Sequence, residues 1–541
     1  MDIPSLFMIP SAVSSGKVHS VFPNSTDADF DFNRDSDATR VNSEGLIERV
    51  GYYGSELVTN GSFNADTNWS KDGWKIENGK AINTLASSGL NLYQGSVTSV
   101  GNTFKVVLDA VISAGGLKVL LGGGSGGYNE IGQASSTGTH TFVGVSNGAD
   151  NRILIQTLSG STIGSVIVDN VSVKQINGDR ARLNYEIEGG LVNTKPSLLL
   201  EPQRTNTAEY SEDAAVYTYN DSTITENVQI ITPYGYKSQA VKISAEFNEP
   251  YPIRAASFNL GSYSTNDVVT LSGFVKYNGY RYVQFGGYFG SESSRFDLIN
   301  GVIIQNQSNV ISSSMVKFPN DWYKLTVTYN FQNTIGNGYL YAGWVLSFNS
   351  SFAYTNARSG GIYAWGLQAE LGSYATSYIP TNGSTQTRAA ETCNGAGTSS
   401  ILPTQGILFT EVKVQQTGST NGIIFISNGT TSNFLMLRYA PSHKFQVEAT
   451  GGVNIIEDSA RASGRYKVAV KYSSAGVEMW IDGSKAKETS TATTATGINE
   501  LGVGSSPYGN IVGCNVFDAR IYNTKEMTDS EVDILLTKIT S

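Results

Sequence analysis

The stretch Val166-Ile-Val-Asp-Asn-Val-Ser-Val173 is rich in β-branched residues and predicts a β-strand that leaves no room for a helix. Comparable runs recur along the chain and are separated by polar, glycine-containing turns. Strands are predicted at 104–111, 117–121, 140–145, 152–157, 268–277, 322–329, 338–346, 361–371, 406–414, 422–426, 434–439, 466–472 and 477–481. The sequence therefore predicts an all-β fold, a multidomain chain of antiparallel β-sandwich (jelly-roll) modules.

The composition supports this fold class and limits the function. Charged residues make up only 15% of the 541 residues, whereas Gly (58), Tyr (29) and Phe (22) are abundant, as suits many short strands joined by turns. The net charge of -9 leaves no basic surplus for phosphates, so nucleic-acid binding is disfavoured. No apolar run is long enough for a membrane helix, so membrane insertion is not expected.

The chain divides into five predicted regions. Residues 1–57 form an N-terminal assembly region, 58–175 a sandwich, and 176–208 a connector that packs with the N-terminal region. Residues 209–388 form a second sandwich and 389–541 a third. One short helix is predicted at the C-terminus, where Thr528 can cap it and Glu531 completes a capping box three residues later.

Two of the sandwiches resemble known folds. The segment 58–175 has the opening Leu57-Val-Thr-Asn-Gly-Ser-Phe63 and the closing strand Asp169-Asn-Val-Ser-Val-Lys174, and it resembles carbohydrate-binding-module-like jelly rolls. The last region contains Tyr466-Lys-Val-Ala-Val-Lys-Tyr472, Val477-Glu-Met-Trp-Ile-Asp-Gly483 and Phe517-Asp-Ala-Arg-Ile-Tyr-Asn523, and it resembles concanavalin-A-like sandwiches of the laminin-G type.

A third resemblance concerns function. The blocks Ser36-Asp-Ala-Thr-Arg-Val-Asn-Ser-Glu-Gly-Leu-Ile-Glu48 and Pro196-Ser-Leu-Leu-Leu-Glu-Pro-Gln-Arg-Thr-Asn206 are similar to a framework of bacteriophage structural and tail-appendage proteins. So are the segments 366–381 and 387–391. In such relatives the first two blocks lie closer together, which implies that 58–175 is an insertion. The absence of a visible secretion signal is in keeping with a protein made in the host cytoplasm.

The usual catalytic patterns are absent from the sequence. The three histidines, His19, His140 and His443, have no metal-ligand spacing, and no Gly-x-Ser-x-Gly elbow leads from a strand into a helix. The run 122–127 fits a dinucleotide pattern but precedes no helix, so it is interpreted as a loop between strands. Glu201 and Glu370 lie in the family-like blocks, and each is flanked by residues interpreted as packing or turn residues. The sequence thus predicts that the chain is not an enzyme, with no catalytic residues assigned.

Cofactors and cysteines stay open at this stage. The acidic run formed by Asp27, Asp29, Asp31, Asp35 and Asp37 lacks the glycine and glutamate of an EF-hand loop and is interpreted as a solvated turn. Structural calcium between the loops of a sandwich is an alternative whose ligands cannot be named, and no other cofactor is implied. Cys393 and Cys514 either pair or remain as buried thiols.

Glycan binding is the chemistry with the best support in the sequence. Aromatic rings stack on sugar C–H faces while amides and carboxylates bond the hydroxyls. Trp69 and Trp74, beside Asn64, Asp66 and Asn68, have these properties near one end of the first sandwich. The competing interpretation is that one or both indoles fill the core.

These observations predict a structural component of a phage particle, such as a tail fibre, head fibre or related surface appendage. Its sandwiches would present glycan-binding modules for host attachment or decoration. Other virion proteins, a homo-oligomer (a trimer in many fibres) and a host cell-surface glycan are the expected partners. The alternatives are a glycan-degrading depolymerase or glycosidase with accessory binding modules, and a secreted bacterial adhesin.

Overall fold

A computed structural model describes most of the chain. The described residues are 4–14, 17–21, 29–34, 36–84, 89–158, 165–177, 180–212, 223–235, 237–245, 253–287, 291–332, 339–347, 360–397, 401–415, 421–507 and 513–541. Within them the chain forms 44 strands and a single α-helix, which confirms the all-β prediction. All strand pairs in the ladders are antiparallel. No described helix has the length and apolar character needed to cross a membrane.

The chain forms two compact units, residues 51–178 and residues 1–50 together with 179–541. The first strands, β1 to β5, belong to the larger unit. They are β1 (Leu6–Ser14), β2 (Lys17–Val21), β3 (Phe30–Asn33), β4 (Thr39–Val41) and β5 (Ile47–Arg49). β4 and β5 form a hairpin around the turn at residues 43–45, where Gly45 has a φ of 78°.

Unit 51–178 is a sandwich of two antiparallel sheets. Its strands are β6 (Tyr52–Glu56), β7 (Ser70–Lys71), β8 (Lys75–Glu77), β9 (Lys80–Asn83), β10 (Asn91–Gln94), β11 (Thr103–Ile112), β12 (Leu117–Gly122), β13 (Tyr128–Ala134), β14 (Gly138–Val145), β15 (Arg152–Thr157) and β16 (Val166–Asn177). One sheet has the order β13-β12-β15-β10-β7, and the other β14-β11-β16-β9-β8 with β6 also on β16. β6, which the sequence assigned to the N-terminal region, therefore pairs within this unit.

The larger unit continues with short connector strands and then the second sandwich. These strands are β17 (Arg182–Asn184), β18 (Ile187–Glu188), β19 (Leu191–Val192), β20 (Ser197–Leu200), β21 (Arg204–Asn206), β22 (Thr223–Ile231), β23 (Lys237–Ala245), β24 (Ile253–Ser262), β25 (Val268–Asn278), β26 (Tyr282–Gly286), β27 (Ser293–Asp297), β28 (Val302–Asn306), β29 (Val310–Lys317), β30 (Trp322–Asn330), β31 (Tyr339–Ser347) and β32 (Gly360–Leu371). A 3₁₀ turn, Pro319–Asp321, precedes β30. The two sheets are β22-β23-β32-β25-β30-β29 and β24-β31-β26-β27-β28.

The third sandwich incorporates the N-terminal strands. Its own strands follow β33 (Gln386–Arg388) and are β34 (Thr392–Ala396), β35 (Gly406–Val414), β36 (Asn421–Ser427), β37 (Phe434–Tyr439), β38 (Phe445–Ala449), β39 (Val453–Ile456), β40 (Gly464–Ser473), β41 (Gly476–Ile481), β42 (Ser484–Thr489), β43 (Glu500–Val503) and β44 (Cys514–Tyr522). β33 pairs with β21. β1, β2 and β3 lie between β44 and β34, so the N-terminal segment completes this sheet rather than standing apart from it.

The C-terminal helix α1 (Asp529–Thr540) has the predicted capping box. The Thr528 side chain accepts the backbone N–H of Glu531, and the Glu531 carboxylate accepts the backbone N–H of Thr528. Val532, Leu535 and Leu536 of α1 pack with side chains of β35 and β40. The helix therefore covers one face of the third sandwich.

Candidate functional sites

The two tryptophans predicted to bind glycans lie in the core of unit 51–178. Trp69 is 6% exposed and Trp74 is 4% exposed. Their indole N–H groups donate to the backbone oxygens of Asn60 (3.1 Å) and Leu90 (3.2 Å). Trp69 also packs against Phe63, with 5.3 Å between ring centroids. This placement agrees with the competing interpretation, because neither ring presents an open face to a sugar.

The polar residues of the same predicted site lie on the surface. Asn64, Asp66 and Asn68 are exposed, and Asn68 has a φ of 70°. Asn64 donates to the Ser62 hydroxyl (2.9 Å), and Asp66 forms an ion pair with Lys71. A sugar role for these three side chains stays a prediction, and the aromatic surface it requires must come from elsewhere.

An aromatic surface of this kind exists on the outer face of the five-stranded sheet of unit 51–178. Strand register aligns Glu130, Leu120, Leu154 and Tyr93 in one row across four strands. A second row contains Gln133, Lys118, Gln156 and Asn91. Tyr128 and Arg152 lie on either side of Gly122. We call the two rows of four residues, together with Tyr128 and Arg152, the Tyr93–Tyr128 face.

The floor of the Tyr93–Tyr128 face is apolar. Leu120 and Leu154 are directly opposed across β12 and β15 and point away from the sandwich core. They are only 8% and 5% exposed, so they are not themselves open to a ligand. Tyr128 is 38% exposed at one side of this floor.

The rim of the Tyr93–Tyr128 face is held by polar contacts. Arg152 lies over the Tyr93 ring at 4.9 Å from its centroid and donates to the Tyr128 hydroxyl at 3.3 Å. Its guanidinium also pairs with Asp150 at 3.1 Å. On the other side, Lys118 and Glu130 pair at 3.3 Å, and Gln156 donates to Asn91 at 2.8 Å. These groups offer donors and acceptors beside two tyrosine rings, the combination that sugars require.

Two glycines shape the edge of this face. Gly122 has a φ of 111°, and a Cβ there would lie 1.2 Å from the Asn147 carbonyl oxygen. A Cβ at Gly123 would lie 2.7 Å from the Tyr128 ring. The glycine run at 122–127 is therefore the tight β12–β13 connection predicted as a loop, and it lets Tyr128 lie close to the backbone.

A buried ionic cluster forms the second candidate site, in the larger unit. It consists of Arg34, Arg182, Arg388, Glu201 and Glu391, all of which are at most 5% exposed. Glu391 accepts from Arg34 (2.8 Å) and Arg182 (2.8 Å), and its carboxylate also accepts the backbone N–H of Glu201 (2.9 Å). Glu201 pairs with Arg182 (2.8 Å) and Arg388 (3.0 Å).

The electrostatics of the cluster favour ionised carboxylates. Burial would raise the pKa of Glu201, but Arg388 and Arg182 outweigh it and lower the pKa to about 2. Burial also tends to raise the pKa of Glu391, but the guanidinium groups of Arg182 and Arg34 have the larger combined effect. The pKa of Glu391 is therefore lowered. Since paired, buried charges are shielded from solvent, this cluster acts as a structural junction rather than an open binding site.

Glu370, the other carboxylate of the family-like blocks, is also buried. It is 0% exposed and accepts hydrogen bonds from the backbone N–H and the hydroxyl of Thr376 and from Gln368 (2.7 Å). Burial raises its pKa despite these bonds. Neither Glu201 nor Glu370 is open to a polymeric substrate in this arrangement.

The remaining polar candidates have ordinary structural partners. Three aspartates of the N-terminal acidic run contact basic side chains, namely Asp29 with His19 (2.8 Å), Asp31 with Lys17 (2.5 Å) and Asp37 with Arg49 (3.1 Å). Asp27 and Asp35 lie outside the described residues. Among the residues described, no group of three or more His, Cys, Asp or Glu side chains could hold a metal ion, so structural calcium stays an untested expectation. Cys393 and Cys514 are free, buried thiols.

Comparisons with known proteins yield structural similarities only. No family model and no curated protein matches the sequence. A carbohydrate-binding module (CBM40) of Ruminococcus gnavus IT-sialidase, bound to α2,3-sialyllactose, is 15% identical, with 26% of this chain and 83% of that chain covered and a TM-score of 0.22. The tandem CBM22 modules of Paenibacillus barcinonensis Xyn10C are 12% identical, with 59% and 97% covered and a TM-score of 0.20.

Trypanosoma rangeli sialidase also matches, at 10% identity, with 99% of each chain covered and a TM-score of 0.23. This match contradicts the prediction that the chain is not an enzyme, and we withdraw that prediction. At such identities and TM-scores, none of these similarities assigns a ligand or a reaction to this chain. They are similarities to carbohydrate-binding modules and to a sialidase, and they contain no information about a phage particle.

Proposed function

We propose that this chain is a glycan-binding surface protein, and that unit 51–178 binds the glycan through the Tyr93–Tyr128 face. The observation that carries the proposal is the Tyr128 ring, which is 38% exposed beside a rim of amides and charged groups. Sugars present a C–H face and a ring of hydroxyls, and this surface matches both.

The roles of the residues follow from their positions. Tyr128 would stack on a sugar ring, and Leu120 and Leu154 lie beneath the side chains that would contact the sugar. Arg152, which already contacts both tyrosines, would donate to ring or hydroxyl oxygens at one end. The amides of Asn91 and Gln156, 2.8 Å apart, would bond hydroxyls at the other end.

The finer part of the proposal is that the protein belongs to a bacteriophage particle, as a tail fibre, head fibre or related appendage. It would be synthesised in the host cytoplasm and assembled with other virion proteins. The blocks at 36–48, 196–206, 366–381 and 387–391 support this. Thr39 in the first, Glu201 in the second and Ser377 in the third all contact Arg182, so the blocks act together as one framework.

The first test is a glycan array probed with the full-length protein and its Tyr128→Ala and Arg152→Ala variants. An aromatic contact of this kind contributes about 0.5–1.5 kcal/mol, so the expected loss is up to about tenfold in Kd for Tyr128→Ala. Tyr277→Ala, which removes a 44% exposed tyrosine from the other unit, is the matched control and should bind as the wild type does.

Thermal unfolding of each variant establishes that the fold is retained. Equal binding by the wild type and both face variants would overturn the proposed site, and silence of the wild type on host capsule, lipopolysaccharide and the array would overturn glycan binding. Release of reducing ends during the incubation would identify a glycan-degrading activity. Membership of the particle is tested separately, by mass spectrometry of purified virions, and absence of the protein would contradict it.

A further inference from the structure

The basic side chains of the five-stranded sheet in unit 51–178 are all paired with carboxylates. The strands of this sheet, β7, β10, β12, β13 and β15, contain three basic residues, and each forms an ion pair. These pairs are Lys71 with Asp66, Lys118 with Glu130 (3.3 Å) and Arg152 with Asp150 (3.1 Å). The strands that form the Tyr93–Tyr128 face therefore contain no uncompensated positive charge.

The guanidinium of Arg152 has three partners. One nitrogen pairs with Asp150, another donates to the Tyr128 hydroxyl at 3.3 Å, and the group lies 4.9 Å from the centre of the Tyr93 ring. Asp150 is itself held by the β12–β13 connection, because its backbone N–H donates to a carbonyl oxygen there at 2.9 Å. A Cβ at Gly124 would lie 2.4 Å from the Asp150 carboxylate, so the glycine lets this carboxylate lie close to the connection.

Glu130 is positioned in a similar way at the other side of the face. It pairs with Lys118 and also accepts a hydrogen bond from Gln133 at 2.6 Å. The side chains of Glu130 and Asp150 are 38% and 34% exposed, so a ligand on the face meets both carboxylates. Charges interact over about 8 Å at physiological ionic strength. An acidic group near either cation is therefore also repelled by the carboxylate paired with that cation.

The charge balance of the face indicates the class of its ligand. Residues 51–178 contain seven Lys or Arg and eight Asp or Glu residues, a formal charge of -1, so the unit does not attract anions over a distance. Hydroxyl groups need only neutral donors and acceptors, which Asn91 and Gln156 supply. We infer that the face selects uncharged glycans, and that Asp150 and Glu130 are specificity-determining residues that exclude sugars with carboxylate or sulfate groups. This inference rests on the proposed function and adds the class of its ligand.

The test is an array of neutral oligosaccharides, each printed beside its sulfated counterpart, probed with the full-length protein. The wild type is expected to prefer the neutral members, with little change between about 50 and 500 mM NaCl, because no ion pair with the glycan forms. Asp150→Asn leaves Arg152 without its carboxylate. Binding of the sulfated counterparts should then strengthen about two- to fivefold relative to the neutral members, the effect of one surface ion pair. This gain should disappear at the higher salt concentration.

Glu77→Gln, at an exposed position on β8 of the other sheet, changes the net charge equally and should keep the wild-type preference. If Asp150→Asn does not fold, Glu130→Gln tests the same idea by removing the carboxylate from Lys118. A wild type that prefers the sulfated counterparts would overturn the inference and leave glycan binding in place. So would an unchanged preference in both carboxylate variants. A wild type that binds neither kind of glycan would instead overturn the proposed function, and the inference with it.

Discussion

At the scale of single residues, Glu391 is the centre of the buried ionic cluster. Its carboxylate pairs with Arg34 and Arg182 and also accepts the Glu201 backbone N–H. Replacing buried ion pairs with apolar groups can be neutral, but removing one partner leaves buried charges uncompensated. The importance of Glu391 therefore lies less in the strength of either ion pair. It lies more in compensating the buried charges of Arg34 and Arg182.

We expect Glu391→Gln to destabilise the larger unit by about 3–5 kcal/mol, as is typical when one member of a buried ion pair is lost. Glu48→Gln is the matched control, because Glu48 pairs with Arg40 on the surface, where such pairs contribute about 0–1 kcal/mol. Urea unfolding followed by tryptophan fluorescence measures both. A Glu391→Gln midpoint equal to that of Glu48→Gln would contradict the importance of the cluster.

The same cluster predicts sensitivity to acid. The pKa of Glu201 in the folded protein is about 2, below the value of 4.5 for an unperturbed glutamate. A depressed pKa adds stability above the unfolded value, and this stability is lost as the pH falls through the folded pKa. Burial raises the pKa of Glu370, so the contribution of this group to stability is instead lost as the pH rises through its folded pKa. The loss due to Glu201 thus falls between pH 4.5 and 2.

Melting temperatures measured from pH 6 to pH 2 should therefore fall most steeply below pH 4.5. In Glu201→Gln the starting stability should be lower and the fall below pH 4.5 shallower, because the titrating group is absent. Glu44→Gln, on the exposed turn between β4 and β5, should keep the wild-type profile. Parallel profiles for the wild type and Glu201→Gln would exclude Glu201 as a source of the acid sensitivity.

At the scale of the elements, the β12–β13 connection determines whether the Tyr93–Tyr128 face forms. Gly122→Ala combines a φ of 111° with a Cβ 1.2 Å from a backbone oxygen, so the connection must shift. We expect this variant to lower the melting temperature of unit 51–178 and to lose glycan binding although every residue of the face is present. Gly95→Ala, where a Cβ would meet nothing within 4 Å, is the control and should retain both properties.

Local sequence patterns were sufficient for most elements. The strands predicted at 152–157, 406–414 and 434–439 have those bounds in the structure, and the Thr528–Glu531 box begins the helix as expected. These features depend on neighbours in sequence. The pairing of β1 with β44 joins Leu6 to Ile521, and no local pattern encodes a contact over that separation.

The candidate site illustrates the same limit. The tryptophans were the most conspicuous aromatics in the sequence, but a large apolar ring is as useful to a core as to a sugar site. Tyr93 and Tyr128 belong to one face only because the register of β10, β15, β12 and β13 brings them together. The strands β12 and β15 were predicted from the sequence, whereas their order in the sheet was not.

At the scale of the whole molecule, the chain leaves the larger unit after Val50 and returns to it near Arg180. The guanidinium of Arg34 donates to the Val50 carbonyl oxygen at 2.8 Å and to the Arg180 carbonyl oxygen at 3.0 Å. One side chain of the larger unit thus binds the two residues of that unit between which residues 51–178 leave and return. Because Val50 and Arg180 lie so close together, a short connection between them could complete the chain of the larger unit without residues 51–178. The insertion that the family-like blocks imply stays a prediction.

This arrangement predicts that the two units fold separately. Replacing residues 51–178 with a short Gly-Ser linker should leave the larger unit folded, with its acid-dependent unfolding below pH 4.5 unchanged, since short connections between close ends cost little entropy. Residues 51–178 expressed alone should unfold cooperatively and retain the glycan binding of the full chain. As a control, Arg34→Ala in the linker variant should destabilise it strongly, because Glu391 loses a partner and both chain ends are released. An insoluble or unfolded linker variant would instead mean that the larger unit depends on unit 51–178 for its stability.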